Sequence, residues 1–368
     1  MRVKSAFFIL LLCQFMGAFL LPPLAAFARM DAVPGSRYTS GRAAALGDAF
    51  LPLADDGPSG LFYNPAALAK IRTVRVEPMN FQFQAASDYL LNPGRNFYEA
   101  TSLEKYAPTL GVHPDTYPGL GGAILPTIAM PGFSAGLLMQ SSFSASSDRA
   151  NIKYRSLYQF VPALGTGFRL ASGILRVGYS LQWVNQASGS HVQPIDTKPM
   201  GYNQYLKQGS AFSHNLGLAL TLPYTYLPAF NLVARNIFGA TYRSFTVIHW
   251  GQNSTGTPDT EPMSVDASIS TLYKAGSGLN INYVLEARDV NNRSQIALIG
   301  RLAAGMEIGM RDSFFLRGGW SSGYPSAGVG LKQKRAEFAI SWFSEEAGTS
   351  YHERRDAKWL VHYQIRAF

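Results

Sequence analysis

From residue 71 onward the chain alternates apolar and polar residues with a period of two, and this alternation limits it more than any other feature. In 279–288, Leu279, Ile281, Tyr283, Leu285 and Ala287 face one way, and Asn280, Asn282, Glu286 and Arg288 the other. The same pattern runs through 174–184, 296–310 and 358–367. Fourteen segments carry it: 71–86, 120–129, 133–146, 153–170, 173–187, 210–222, 229–237, 263–274, 279–290, 295–310, 313–321, 325–333, 335–344 and 357–368. A side chain turns to the opposite face at each step of a strand, so every segment has one greasy and one polar face. The usual segment length suits a tilted membrane strand, which needs about 9–11 residues.

The connections sort by length. Every second one is short: MPG, ASG, PYTYLP, AGSG, RD and a tight turn near Lys334. The alternate set includes the long stretches 87–119, 188–209, 238–262 and 345–356. An even number of antiparallel strands with short turns at one rim and long loops at the other is the arrangement of an outer-membrane barrel. Trp183, Trp320, Trp342 and Trp359 fall near the long-loop ends of their segments and are expected on the lipid face, as one aromatic girdle.

Composition agrees. Aromatic residues make up 13% of the chain and charged residues 15%, whereas soluble domains carry about 25% charged residues. Inside hydrocarbon every backbone N–H and C=O needs an internal partner, and closure of the sheet leaves no edge unpaired. The expected fold is therefore an all-β membrane protein: a 14-stranded antiparallel transmembrane β-barrel. The net charge of +9 fits contact with an anionic surface and does not single out nucleic acid.

The N-terminus reads as an export leader. Arg2 and Lys4 precede the apolar run SAFFILLLCQFMGAFLLPP, and Ala26-Phe27-Ala28 offers a small-x-small cleavage site before Arg29. Residues 1–28 are thus expected to be a signal peptide, whose removal would take away Cys13, the one cysteine of the chain. The six histidines are scattered, without ligand spacing, so neither a metal site nor a cofactor is expected.

Residues 29–70 do not alternate. Within LADDGPSGLFYNPAALA, Asp56 can cap a short helix carrying Ser59 to Tyr63. Asn64 ends it, because a residue before proline is pushed out of the helical region. The same Asn64 then caps the next turn, with Pro65 at its first position and Ala66, Ala67, Leu68 and Ala69 following. Asn64-Pro65-Ala66 is a hinge that folds the segment back on itself. Such a segment, ahead of the first strand, is expected inside the barrel 71–368 as a small helical hatch, because fourteen strands enclose a lumen wide enough to leak.

GRAAALGDAFLPLADDGPSGLFYNPAALA resembles the N-terminal hatch of FadL-type outer-membrane transport proteins, and more closely that of the related PorV-like group. FNLVARNIFG and YVLEARDVNN resemble strand-loop elements of the same superfamily. The resemblance implies a hatch built on Asn64, Pro65 and Ala66, with Ala67 where relatives often carry glycine. It also implies a kinked strand, for which Gly132 and Gly136 are candidates. FadL-type proteins pass long-chain fatty acids or other hydrophobic molecules, so passive uptake across the bacterial outer membrane is the function implied here. Leu61, Phe62, Tyr63 and Leu68 would then line the lower ligand pocket or anchor the hatch to the wall. The PorV-like alternative is a role in protein secretion or surface-protein attachment, with a protein partner in place of a small hydrophobic ligand.

Other motifs carry less. GFSAG, 132–136, matches the nucleophile elbow G-x-S-x-G, but Leu137, Met139 and Phe143 continue a strand where the elbow needs a helix, so no enzyme is expected. Asp55–Asp56 reads formally as a carboxylate pair or a cation site, but Asp56 is expected to cap a helix and Asp55 to be solvated or to face lumen arginines. Arg176, Glu286, Arg288, Arg301 and Glu307 are expected to point inward, as a balanced polar interior or as contacts for an anionic headgroup. Asn253-Ser254-Thr255 is formally a glycosylation triplet, without meaning in a bacterial envelope.

Overall fold

Alternation closes the chain into a cylinder. The structure, a computed structural model, describes residues 37–88, 110, 117–147, 150–195, 206–250, 254–276, 278–293, 295–348 and 351–367. The expected leader 1–28, the expected start of the hatch from Arg29, most of 87–119, Asn253 and Phe368 lie outside the described residues. Fourteen antiparallel strands form one sheet. β1 runs as Arg75–Glu77 and Met79–Ala86, and β2 as Gly119–Ile124 and Thr127–Met130. Then follow β3 (Phe133–Ser147), β4 (Asn151–Leu170), β5 (Leu175–Pro194), β6 (Lys207–Thr221) and β7 (Ala229–Arg235). The circle continues through β8 (Ser264–Ala275), β9 (Leu279–Ala287), β10 (Leu302–Met310), β11 (Phe314–Ser321), β12 (Tyr324–Lys332), β13 (Ala336–Glu346) and β14 (Arg355–Ile365).

Each strand pairs with its sequence neighbours, and β14 closes on β1 with Tyr363 opposite Phe81 and Val361 opposite Phe83. The outward positions are apolar and exposed, among them Phe81, Phe83, Leu218, Leu232, Tyr283 and Val329. The inward positions are polar and buried, among them Gln182, Asn231, Asp266, Glu307 and His362. This is a soluble protein turned inside out, as lipid demands. Trp342 and Trp359 are direct cross-strand partners, and Trp183 stacks near Phe212 at 6.2 Å.

Two departures from strict alternation have local causes. Pro78 interrupts β1, and Leu125–Pro126 interrupts β2 beside it, because proline cannot donate to a ladder. Three residues of β1 there face two of β2, which makes a bulge, and Leu125 turns fully into the core. The bulge in the wall thus lies at these prolines. Gly132 occupies a turn with φ +73°, and Gly136 is an inward position packed on Leu61. The second departure is at 295–310. Apolar spacing there extends the strand back to residue 295, but Leu298–Arg301 forms a single helical turn, and the strand starts at Leu302. On the other side, β5 and β6 run past the sequence-derived ends into 188–194 and 207–209, where serine and glycine continue the ladder above the apolar belt.

Inside the cylinder sits the segment from Arg37 to Ile71. It holds α1 (Gly41–Ala45), α2 (Gly57–Phe62) and a 3-10 turn over Pro65–Lys70. α1 packs against β11 to β14, and the 3-10 turn against β4, β5 and β6. The hatch therefore bridges opposite walls. Its apolar residues Leu46, Phe50, Leu51, Leu61 and Phe62 are the centre of the main hydrophobic core. Burying side chains of this size stabilises by about 1.5–3 kcal/mol each.

Candidate functional site

The site is the lumen, made of the hatch and the space above it. The hatch is built from local capping. Asp56 accepts from the Ser59 N–H at 2.8 Å, and the Ser59 hydroxyl accepts from the Asp56 N–H at 3.2 Å, a reciprocal capping box. Asn64 caps the 3-10 turn, its Oδ1 accepting from the Ala66 N–H at 3.0 Å. Its Nδ2 donates to the Leu51 carbonyl and to Asn231 Oδ1, both at 3.1 Å. One amide thus ties together two parts of the hatch and strand β7. Pro65 and Ala66 pass so close to the wall that a Cβ on Gly178 would lie 2.1 Å from the Pro65 carbonyl oxygen. On the other side, a Cβ on Gly319 would lie 2.1 Å from the Leu46 carbonyl carbon.

Leu61, Phe62, Tyr63 and Leu68 are all buried between hatch and wall, at 0–1% exposure. Leu61 and Leu68 rest on Gly165, and Tyr63 sets its ring edge-on to Phe50 at 5.0 Å while its hydroxyl donates to Asp48 at 3.0 Å. None of the four lines the cavities described below.

Charged groups fasten the hatch. Glu307 of β10 accepts two bonds from Arg42 at 2.7 and 2.8 Å and one from Arg317 of β11 at 2.8 Å. Glu286 of β9 accepts from the Phe50 and Leu51 N–H groups at 3.0 and 3.1 Å. Arg235 of β7 pairs with Asp266 at 2.6 Å and donates to the Phe62 and Tyr63 carbonyls at 2.8 and 3.1 Å. Arg288 reaches Asp48 at 3.2 Å. Burial raises the Asp48 carboxyl, against the pull of Arg288. Burial would also raise Asp55, but Arg42, 3.2 Å away, with Lys332 and Lys70 beyond it, draws that carboxyl down to about 2.

Glu286, Arg288 and Glu307 face the hatch, as their strand phase requires, and Asn231 and Arg235 were not singled out from the sequence. Both lie in FNLVARNIFG at inward positions, so a polar residue of the right phase in that segment was the available signal. Inward glycines such as Gly178 and Gly319 were a second signal, marking where the wall meets the hatch backbone.

Above the hatch the lumen opens. One cavity of about 680 Å³ and another of about 250 Å³ adjoin each other and share Gln84, Ser142, Leu157 and Lys358 in their walls. The floor of the smaller one carries Arg37 and Thr39 of the hatch. Leu157 supplies apolar surface, while Arg155, Lys207 and Lys358 supply positive charge. Lys207 is paired with Asp259 at 2.9 Å, and Lys358 with Glu345 at 2.6 Å. Arg155 has no ion-pair partner among the described residues.

The segment after β7 folds inward across this space. Glu261 pairs bidentately with Arg37 and accepts from the Tyr242 hydroxyl at 2.7 Å. Tyr242 also bonds Gln186, which continues through Gln159 to Gln140, and Gln140 returns to the Arg37 carbonyl at 2.9 Å. At GFSAG, Ser134 lies within β3 and donates to the Ile128 carbonyl at 3.2 Å. The strand-turn-helix geometry of a nucleophile elbow is not there.

A closed fourteen-stranded cylinder, apolar outside and corked by its own leading segment, defines the class: a plugged transmembrane β-barrel. Neither a protein-family model nor a curated protein matches the chain. Among solved structures it shares its fold with the CymD monoaromatic hydrocarbon channel, at a TM-score of 0.51 and 9% identity, over 91% of this chain and 97% of that one. The P. putida toluene transporter TodX aligns at a TM-score of 0.45 and 10% identity, over 91% and 97% of the two chains. A Pseudomonas aeruginosa FadL homologue aligns at 0.45 and 10%, over 92% and 98%.

Proposed function

We propose that the protein is a bacterial outer-membrane channel, exported by its leader 1–28, through which hydrophobic small molecules pass by binding and diffusion. The observation that carries the reading is the pair of adjoining cavities in the lumen above the hatch. The fold shared with CymD, a hydrocarbon channel by its description, supports the same class. No covalent step and no cofactor enter.

The lining narrows the ligand further. Leu157 offers apolar surface to a hydrocarbon chain, and Arg155, without an ion-pair partner among the described residues, offers a cation to a carboxylate. A long-chain fatty acid combines both. Leu61, Phe62, Tyr63 and Leu68 hold up the floor from beneath, and passage requires the hatch to give way around Asn64, Pro65 and Ala66.

The test is uptake of radiolabelled oleate by cells carrying wild type, Arg155→Gln, the Asn64→Ala and Pro65→Ala double variant, or empty vector. Wild type is expected to exceed the vector severalfold. Arg155→Gln is expected to take up less, with surface expression unchanged. Uptake no greater than that of the vector rules the reading out.

A further inference from the structure

At the short-turn mouth of the lumen three cations converge. Arg169 of β4 and Arg176 of β5 are direct cross-strand partners on the inward face. Like charges placed opposite each other destabilise a strand pair, so this juxtaposition works against the sheet. Lys70, the last residue of the hatch's 3-10 turn, lies against them. Arg169 donates to the carbonyls of Ala69 and Ile71 on either side of it, and the Arg176 charge acts on the Lys70 ammonium. Burial, with Arg176 adding in the same direction, lowers Lys70 to about 8.

Among the described residues none of the three forms an ion pair. Lys70 donates instead to the Pro52 and Ala54 carbonyls at 2.8 and 2.6 Å, and Arg176 to the Thr221 hydroxyl at 2.5 Å. The Arg176 Nε is buried with no acceptor at all. Elsewhere in the lumen Arg37, Arg42, Arg235 and Arg288, which fasten the hatch, each have a carboxylate. Here no carboxylate of the described residues lies within ion-pair distance, although Asp55 and Asp56 act on Lys70 from farther away, and Arg169 remains exposed and the other two are half-buried, so the cluster is reachable from the mouth.

We propose that Arg169, Arg176 and Lys70 form a phosphate-binding site at the short-turn mouth of the lumen. Two guanidinium forks and an ammonium match the several acceptor oxygens of a phosphate group, and its charge removes the repulsion between the two arginines. The phosphate comes either from a lipid headgroup of the adjoining leaflet or from solution. This site is separate from the cavity above the hatch and does not depend on the transport reading.

The experiment uses the full chain folded in dodecyl maltoside. Inorganic phosphate is titrated while the unfolding midpoint is followed by tryptophan fluorescence. In parallel, protein from nanodiscs containing phosphatidylglycerol is released into native mass spectrometry. Wild type is expected to show a saturable upward shift with phosphate if the source is soluble, or a retained phosphatidylglycerol adduct if it is lipid. Arg176→Gln is expected to weaken whichever occurs at least tenfold, and Lys334→Gln, in the turn after β12, to leave it unchanged. If Arg176→Gln does not fold, Arg176→Lys keeps the charge and loses the fork, and is expected to weaken binding severalfold. Identical responses of wild type and the Arg176 variants, or no response of wild type to either probe, overturn the proposal.

Discussion

Arg42 and Glu307 stand 265 residues apart in sequence and are joined by two hydrogen bonds, of 2.7 and 2.8 Å, across the boundary between hatch and wall. Glu307 is 1% exposed and also carries Arg317, so one carboxylate bridges two guanidinium groups inside the barrel. Removing it strands Arg317 and leaves Arg42 with Asp55 alone, 3.2 Å away. Breaking a buried pair in this way costs about 3–5 kcal/mol. Glu307→Gln is therefore expected to lower the thermal midpoint in detergent and to open residues 37–74 to protease. Glu307→Asp is expected to keep part of the stability. A midpoint equal to wild type for Glu307→Gln means that the pair does not hold the hatch.

The close approach of Pro65 to Gly178 gives a steric counterpart. A side chain at 178 cannot coexist with the present path of the hatch, because its Cβ would lie 2.1 Å from the Pro65 carbonyl oxygen. Gly178→Leu is expected to displace the 3-10 turn and raise single-channel conductance in planar bilayers. Overpacking of this kind costs about 1–3 kcal/mol. Gly318→Ala is the control, since a Cβ there meets nothing within 4 Å, and conductance is expected to stay at the wild-type level.

Strand phase explains how far the sequence could be read. Lipid outside and polar lumen inside force a strict alternation, so the strands, their number and the facing of Glu286, Arg288 and Glu307 follow from residue type alone. Capping chemistry is equally local, which is why Asp56 and Asn64 could be placed before any fold was known. Two kinds of information were not local. The helical turn at Leu298–Arg301 has the same apolar spacing as the strand it precedes. The second kind is pairing between distant parts: nothing at Asn64 announces Asn231, and nothing at Arg37 announces Glu261. Leu61, Phe62, Tyr63 and Leu68 show the same limit, because an apolar run in a hatch reads alike whether it faces a ligand or a glycine-rich wall.

Acid gives a test of the ion pairs at the hatch. Asp55 has its carboxyl drawn from 3.8 to about 2 by Arg42, Lys332 and Lys70, in spite of burial. A carboxylate more acidic in the folded state binds fewer protons there than in the unfolded chain between those two values. Its contribution is thus fully present above about pH 4 and is lost as the pH falls toward 2. The unfolding midpoint of wild type is expected to drop more steeply over that interval than that of Asp55→Asn. Parallel pH curves for the two proteins would show that Asp55 does not contribute.

The pair Arg37–Glu261 links the hatch to the segment that folds inward after β7, and Tyr242 and Asn236 steady the same carboxylate. If this contact couples the two parts, loss of either partner loosens both. Arg37→Gln and Glu261→Gln are each expected to raise amide hydrogen exchange at 37–40 and at 240–248. The double variant is expected to exchange no faster than the worse single one, corresponding to a coupling of about 1–2 kcal/mol. Additive effects in that cycle would mean that the hatch and the infolded segment are held independently, each by its own strand contacts. Coupling, by contrast, means that movement of the infolded segment reaches the hatch directly, without passing through the barrel wall.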